Sequence, residues 1–241
     1  FNEPTEKEYE NFLEEAEHVK RFAVERGLLI ENKTLRVGDA LAYFMGIENM
    51  LLTSFRNPSL IHALLDILLE WNIKYLRQIL DAGIVDMINY EGWSESFFTP
   101  ETYKTFIYPR VKKLVELAHK SRVKFCYGPR TPSDTLFRYF KEMGVDIFWG
   151  PDPVQGNRDL VRLKQEFGDR ICFWGGVNSY VTLGTGTMRE IERATAEAIR
   201  ILGPGGGFIL SAIDSLDEHT PWRNIEHMIR VWRRVGKYPV V

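Results

Sequence analysis

The feature that most constrains this chain is a change of texture that repeats five times after residue 84. Short apolar runs, IVDMINY (84–90), VKFCY (123–127), VDIFW (145–149), ICFWG (171–175) and GFILSA (207–212), alternate with longer amphipathic stretches. Each short run is nearly continuous in apolar character, as strands covered on both faces are. Strand followed by helix in one repeating register predicts parallel strands joined by right-handed crossovers. That spacing suits a doubly wound sheet or a closed eight-fold barrel. No run is followed by a GxGxxG or Walker-type loop, and Gly205-Gly206-Gly207 precedes a strand, where it reads as a turn rather than a phosphate cradle. The expected fold class is therefore α/β, a (β/α)8 barrel, as one domain over 1–241.

The stretches between the runs carry helix signals. Thr99 can cap and Pro100 can take the first helical position of a helix with Tyr103, Phe106, Ile107, Leu114 and Leu117 inward, kinked at Pro109. Thr187 and Glu190 form a capping-box pattern before a helix whose buried face is expected to be Ile191, Ala194, Ala198 and Ile201; Gly203 and Pro204 end it. Residues 5–26 read as a charged surface helix, RVGDALAYFMG (36–46) as one more strand, and 59–82 as a long helix with Leu60, Leu64, Ile67, Trp71 and Leu80 inward. Six strands fall short of eight, so one or two N-terminal β/α units are expected to precede Phe1, which is not an initiator methionine.

A net charge of -2 and a pI near 6.3 give no electrostatic case for nucleic acid. No apolar stretch approaches the ~20 residues of a membrane-spanning helix. Cys126 and Cys172 are too few for a disulfide framework, which points to a reducing, cytoplasmic setting.

In barrels of this kind the chemistry gathers at the C-terminal ends of the strands. Those ends deliver Glu91 and Trp93, then Cys126, Tyr127 and Arg130, then Trp149 and Asp152, then Trp174 and Asn178, and finally Ser211 and Asp214, with His219 further along the loop. Aromatic walls with a few carboxylates, one thiol and one guanidinium are what a pocket for a small organic substrate contains. Each group also has a structural reading. Cys126 can be a small buried hydrophobe, Glu91 and Asp214 can be held by fixed partners, and Asp152 and Asn178 can shape loops. Arg130 can be solvated, and His219 can cap or lie on the surface.

The run GWSESFFTPETYKTFIYPRVKKLVE resembles the corresponding stretch of the uroporphyrinogen decarboxylase superfamily, in which a Ser/Thr-Pro-Glu cap opens a proline-interrupted helix. Residues 159–228 are similar to that superfamily's C-terminal third in order and spacing: LK..FG.R, a GGV strand end, an L..GT helix opening, GGGF and TP..NI. The likeness runs from about residue 30 onward. It implies a (β/α)8 barrel and one of two chemistries. One is decarboxylation of a tetrapyrrole without a cofactor. The other moves a methyl group from a small methylated compound to a corrinoid carried by a partner protein, with zinc held in an H-x-C…C arrangement in many members.

Here the H-x-C position reads Lys124-Phe125-Cys126, and Ser211 and Asp214 stand in the strand end where the late cysteine would be. The W-E start found in one methyltransferase-like branch is similar to Glu91, which favours methyl transfer over tetrapyrrole decarboxylation; a non-catalytic, ligand-binding barrel is the third reading. The strand ends are expected to place Glu91, Cys126 and Asp214 in catalysis or in a weak metal set. Trp93, Tyr127, Arg130, Trp149, Trp174, Asn178 and His219 are expected to bind substrate. A homodimer is compatible with this reading.

Overall fold

All five apolar runs become strands, and a sixth precedes them. The structure is a computed structural model that describes residues 4–93, 97–129, 134–155 and 159–238. Its order is α1 (Glu6–Arg26), β1 (Glu31–Lys33), α2 (Val37–Met45), α3 (Ile47–Arg56), α4 (Pro58–Asp81), β2 (Met87–Gly92), α5 (Pro100–Phe106), α6 (Tyr108–Lys120), β3 (Lys124–Pro129), α7 (Asp134–Met143), β4 (Ile147–Trp149), α8 (Leu160–Phe167), β5 (Cys172–Asn178), a π-helix (Ser179–Thr185), α9 (Met188–Leu202), β6 (Phe208–Ile213) and α10 (Trp222–Val235). The chain forms two compact units, Phe1–Tyr127 with Ser133–Val145, and Gly128–Pro132 with Asp146–Val241. No helix of the described residues is long and apolar enough to cross a membrane.

In the first unit β1 pairs in parallel with β2, Glu31 opposite Met87 and Lys33 opposite Asn89, and β3 follows β2. The expected strand at 36–46 is instead α2. Six consecutive residues there, Val37 to Ala42, are buried, and Ala40, Leu41 and Ala42 favour a helix. The first strand is the polar ENK just upstream. Helix α4 begins on Asn57 with Pro58 in its first turn and buries Ile61, Leu65, Leu68, Asn72, Leu76 and Ile79, a true 3.6-residue face. That face is rotated from the expected one, so Leu60, Ile67 and Trp71 are exposed.

Pro109 breaks the helix as expected. With the chain turned at Ile107, the Phe106 carbonyl is taken by the buried Arg110 guanidinium at 2.7 Å, which also binds Asp66 at 2.6 Å and the His62 carbonyl at 3.0 Å. An aromatic column fills the interior. Tyr90 meets Tyr127 edge-on at 5.1 Å, Tyr127 packs on Phe140 at 4.7 Å, and the Tyr103 hydroxyl donates to that of Tyr127 at 3.0 Å.

In the second unit β4, β5 and β6 run parallel in sequence order, with Phe148 opposite Phe173 and Trp149 opposite Trp174. The GGV strand end has a steric cause. Gly175 and Gly176 lie at φ +147° and +98°, and an added Cβ would meet Ile213 Cδ1 at 2.0 Å and Ala198 Cβ at 2.9 Å. Behind the sheet, Val177, Leu183 and Ile191 form a buried cluster with Met228 against it. The L..GT segment opens as a π-helix, and α9 then starts on the expected capping box of Thr187 and Glu190. Its fully buried face is Ile191, Thr195, Ala198, Ile199 and Leu202, while Ala194 and Ile201 are half-buried.

Thr187→Ala should cost about 1 kcal/mol, read by urea unfolding. Hydrogen bonds from the Thr187 backbone N–H and then its hydroxyl hold the Glu190 carboxyl below its ordinary value of 4.5. A lowered carboxyl contributes stability above that value and loses it as pH falls through the folded pKa. The variant should therefore show a smaller acid-side loss of stability than the parent.

Candidate functional site

Strand β2 sorts its side chains by parity. Ile88 and Tyr90 point into the core, where the Tyr90 hydroxyl accepts from the Val37 N–H at 3.1 Å and its ring packs on Phe125 and Tyr127. Asn89 and Glu91 take the other face, and the parallel register puts Glu31 and Lys33 of β1 on that same face. These four polar groups are joined. Asn89 Nδ2 donates to Glu31 at 3.1 Å and to Glu91 at 2.9 Å, and Lys33 Nζ lies 3.3 Å from Glu91. Asn89 is 2% exposed, and its Oδ1 is buried with no hydrogen-bond partner among the described residues. Glu91 retains a quarter of its side-chain exposure.

Beyond β2 the chain turns over Asp39, a residue the sequence did not single out. Asp39 Oδ1 accepts from the Trp93 N–H at 3.1 Å, its Oδ2 pairs with Arg36 Nε at 3.0 Å, and its side chain is 2% exposed. The Trp93 ring meets Tyr43 edge-on at 5.8 Å and Phe97 at 6.0 Å. Beside this group lies a cleft of about 460 Å³ whose walls include Arg36, Asp39, Tyr43, Phe44 and Trp71. The cleft can hold a small ligand against the rings of Tyr43, Phe44 and Trp71, with the Asp39 carboxylate at its wall.

The other expected site residues divide. Cys126 is fully buried, and by alternation it lies on the face of Asn89 and Glu91, opposite Phe125 and Tyr127. Tyr127 is not a pocket wall: its ring and hydroxyl are used inside the core by Phe140 and Tyr103. Arg130 lies outside the described residues.

In the second unit Trp149 and Trp174 are half-buried neighbours on one face, opposite the buried Phe148 and Phe173. Asn178 is a loop brace, donating to Asp152 at 2.7 Å and accepting from the Val181 N–H at 2.6 Å; Asp152 in turn accepts from the N–H groups of Val154 and Gln155. Asp214 is exposed at φ +68° and accepts from the Ser215 N–H at 2.9 Å. His219 projects into solvent with 85% of its side chain exposed. At the start of β5, away from the strand's C-terminal end, burial pushes the Cys172 thiol up and Lys164 down, and Lys164 Nζ donates to the Gly206 carbonyl at 2.7 Å. Such a thiol is chemically quiet.

The residues present do not fit zinc. Among the described residues no three His, Cys, Asp or Glu side chains are grouped to hold a metal ion. The two Glu91 oxygens are already engaged by Asn89 and Lys33.

Residues 39–235 match the family model described as uroporphyrinogen decarboxylase (URO-D). Uroporphyrinogen decarboxylase of Synechococcus sp. (strain CC9605) is 28% identical over 191 residues, covering 75% of this chain and 49% of that protein. The enzyme of the same name from Novosphingobium aromaticivorans is 22% identical over 181 residues, covering 75% and 51%. The chain thus spans about half the length of the curated relatives it matches. Among solved structures, a methyltransferase from Methanosarcina mazei shares the fold with a TM-score of 0.74 at 17% identity, over 92% of this chain and 64% of that one. A D-tagatose 3-epimerase-like protein is more distant, with a TM-score of 0.53 at 12% identity over 92% and 84%.

Asp39→Ala should destabilise the protein by about 1–3 kcal/mol, because it leaves the Trp93 N–H without its acceptor and Arg36 without its carboxylate. Asp39→Asn, which keeps an acceptor, should cost less than about 1 kcal/mol. Equal losses in chemical denaturation would contradict the hydrogen-bond account.

Proposed function

The chain belongs to the uroporphyrinogen decarboxylase (URO-D) family, and we propose that it takes a methyl group from a small methylated organic compound and passes it to a corrinoid-bearing partner protein. The observation that carries this reading is the charge state of the strand ends in the first unit. A carboxylate-rich tetrapyrrole needs cations free to receive it. Among the described residues Lys33 is spent on Glu91 and Arg36 on Asp39, which supports a small donor without carboxylates instead.

When the methyl leaves, its heteroatom keeps the bonding electron pair and must hold a proton. We assign the hydrogen bond that holds this proton to the Glu91 carboxylate, whose quarter exposure leaves it open to a ligand. Trp93 and Tyr43 supply an edge-on aromatic pair beside it. Cys126 shares the face of Glu91 and is read as part of the pocket floor. The six strands are read as part of a closed eight-stranded barrel, working in the cytoplasm, where the free thiols of Cys126 and Cys172 stay reduced.

Decarboxylation is the second reading, favoured by the shared name of the curated relatives. Incubation with chemically reduced cobalamin and a panel of methylated alcohols, amines, thiols and aryl ethers should produce methylcobalamin, seen in the visible spectrum. Glu91→Gln should slow that transfer by about 10²–10⁴-fold. Formation of coproporphyrinogen from uroporphyrinogen, without methyl transfer, would overturn the proposal.

A further inference from the structure

The buried Asn89 amide is half-satisfied among the described residues. Its nitrogen donates to two carboxylates, Glu31 and Glu91. Flipping the amide would turn its oxygen toward both anions, so the carboxylates fix its orientation. The oxygen is then left buried with no donor. A buried acceptor without a partner costs roughly 1–3 kcal/mol, and here it sits among carboxylates on a face that ends in aromatic rings.

Among the described residues the charges around Asn89 do not cancel: Glu31 and Glu91 are two anions and Lys33 is one cation. An orphaned acceptor and an unbalanced negative charge together call for a ligand that is both a hydrogen-bond donor and a cation. The rings of Trp93, Tyr43 and Phe97 add faces on which N-methyl groups of a cation are favoured.

We propose that the ligand of this face is a protonated methylated amine, an alkylammonium ion that keeps at least one N–H for Asn89 Oδ1. This deepens the methyl-transfer reading and rests on it for the chemistry. In the transfer step the C–N bond breaks and its electron pair stays on nitrogen. Nitrogen also keeps its proton, the methyl goes to the reduced corrinoid of the partner, and a neutral amine departs. A quaternary ammonium lacks the N–H for Asn89, and a neutral alcohol lacks the charge.

Calorimetric titration of the protein near neutral pH with dimethylammonium, tetramethylammonium and methanol tests the assignment. Dimethylammonium should bind at least about tenfold more tightly than either of the others, and Glu31→Gln should weaken it about tenfold, because the charge that orients the Asn89 amide and attracts the cation is lost. Glu31 is exposed, so this variant should keep the parent's melting temperature. Equal or tighter binding of methanol or tetramethylammonium, no dimethylammonium binding, or indifference to Glu31→Gln would overturn the proposal. Ammonium binding without methyl transfer to cobalamin would support this face's selectivity and sink the methyl-transfer reading. Methyl transfer from a neutral donor without ammonium binding would do the reverse.

Discussion

Everything proposed for the first unit depends on the two-residue period of β2 and its register with β1. A strand shifted by one residue would exchange its faces completely. The register is set from the apolar side. Ile88 and Tyr90 are fully buried, and Tyr90 is fastened by its hydroxyl to the Val37 N–H and by its ring to Phe125 and Tyr127. With that face fixed, Asn89 and Glu91 have no alternative to the other, where Glu31 and Lys33 meet them. The polar cluster is thus a consequence of core packing and not a separate feature laid on it.

The same economy appears at the loops. Thr34 and Leu35, which connect β1 to α2, are held by Asn72 of α4: its Oδ1 accepts from the Thr34 hydroxyl and its Nδ2 donates to the Leu35 carbonyl at 2.6 Å. That brace fixes where α2 begins and so where Arg36 and Asp39 stand. In the second unit the corresponding task falls to Asp152 and Asn178, which hold the segments after β4 and β5 together. These residues touch no proposed chemistry, yet they decide the position of those that do.

The sequence revealed the strands buried on both faces, because continuous apolar runs leave a strong signal. It hid β1, since ENK is short and polar, with Glu31 and Lys33 belonging to a hydrophilic face. It disguised α2, since VGDALA reads as an apolar run whether extended or coiled. The caps at Thr99 and Thr187 were accessible because they need only local chemistry. Tyr127 was misread for a simple reason: Cys126 and Tyr127 are adjacent in one strand, so they cannot both face the same cavity. Asp39 was missed because the group that gives it a place at the strand end, the Trp93 N–H, lies 54 residues further along the chain.

The central claim is that Asn89 is clamped by two carboxylates and presents its oxygen to a ligand. A crystal structure grown with dimethylammonium tests it most directly. The account predicts Asn89 Nδ2 within about 3 Å of both Glu31 and Glu91, with the ammonium nitrogen within about 3 Å of Oδ1. An Oδ1 already satisfied by a donor of the protein, or a Glu91 turned away from Asn89, would contradict it.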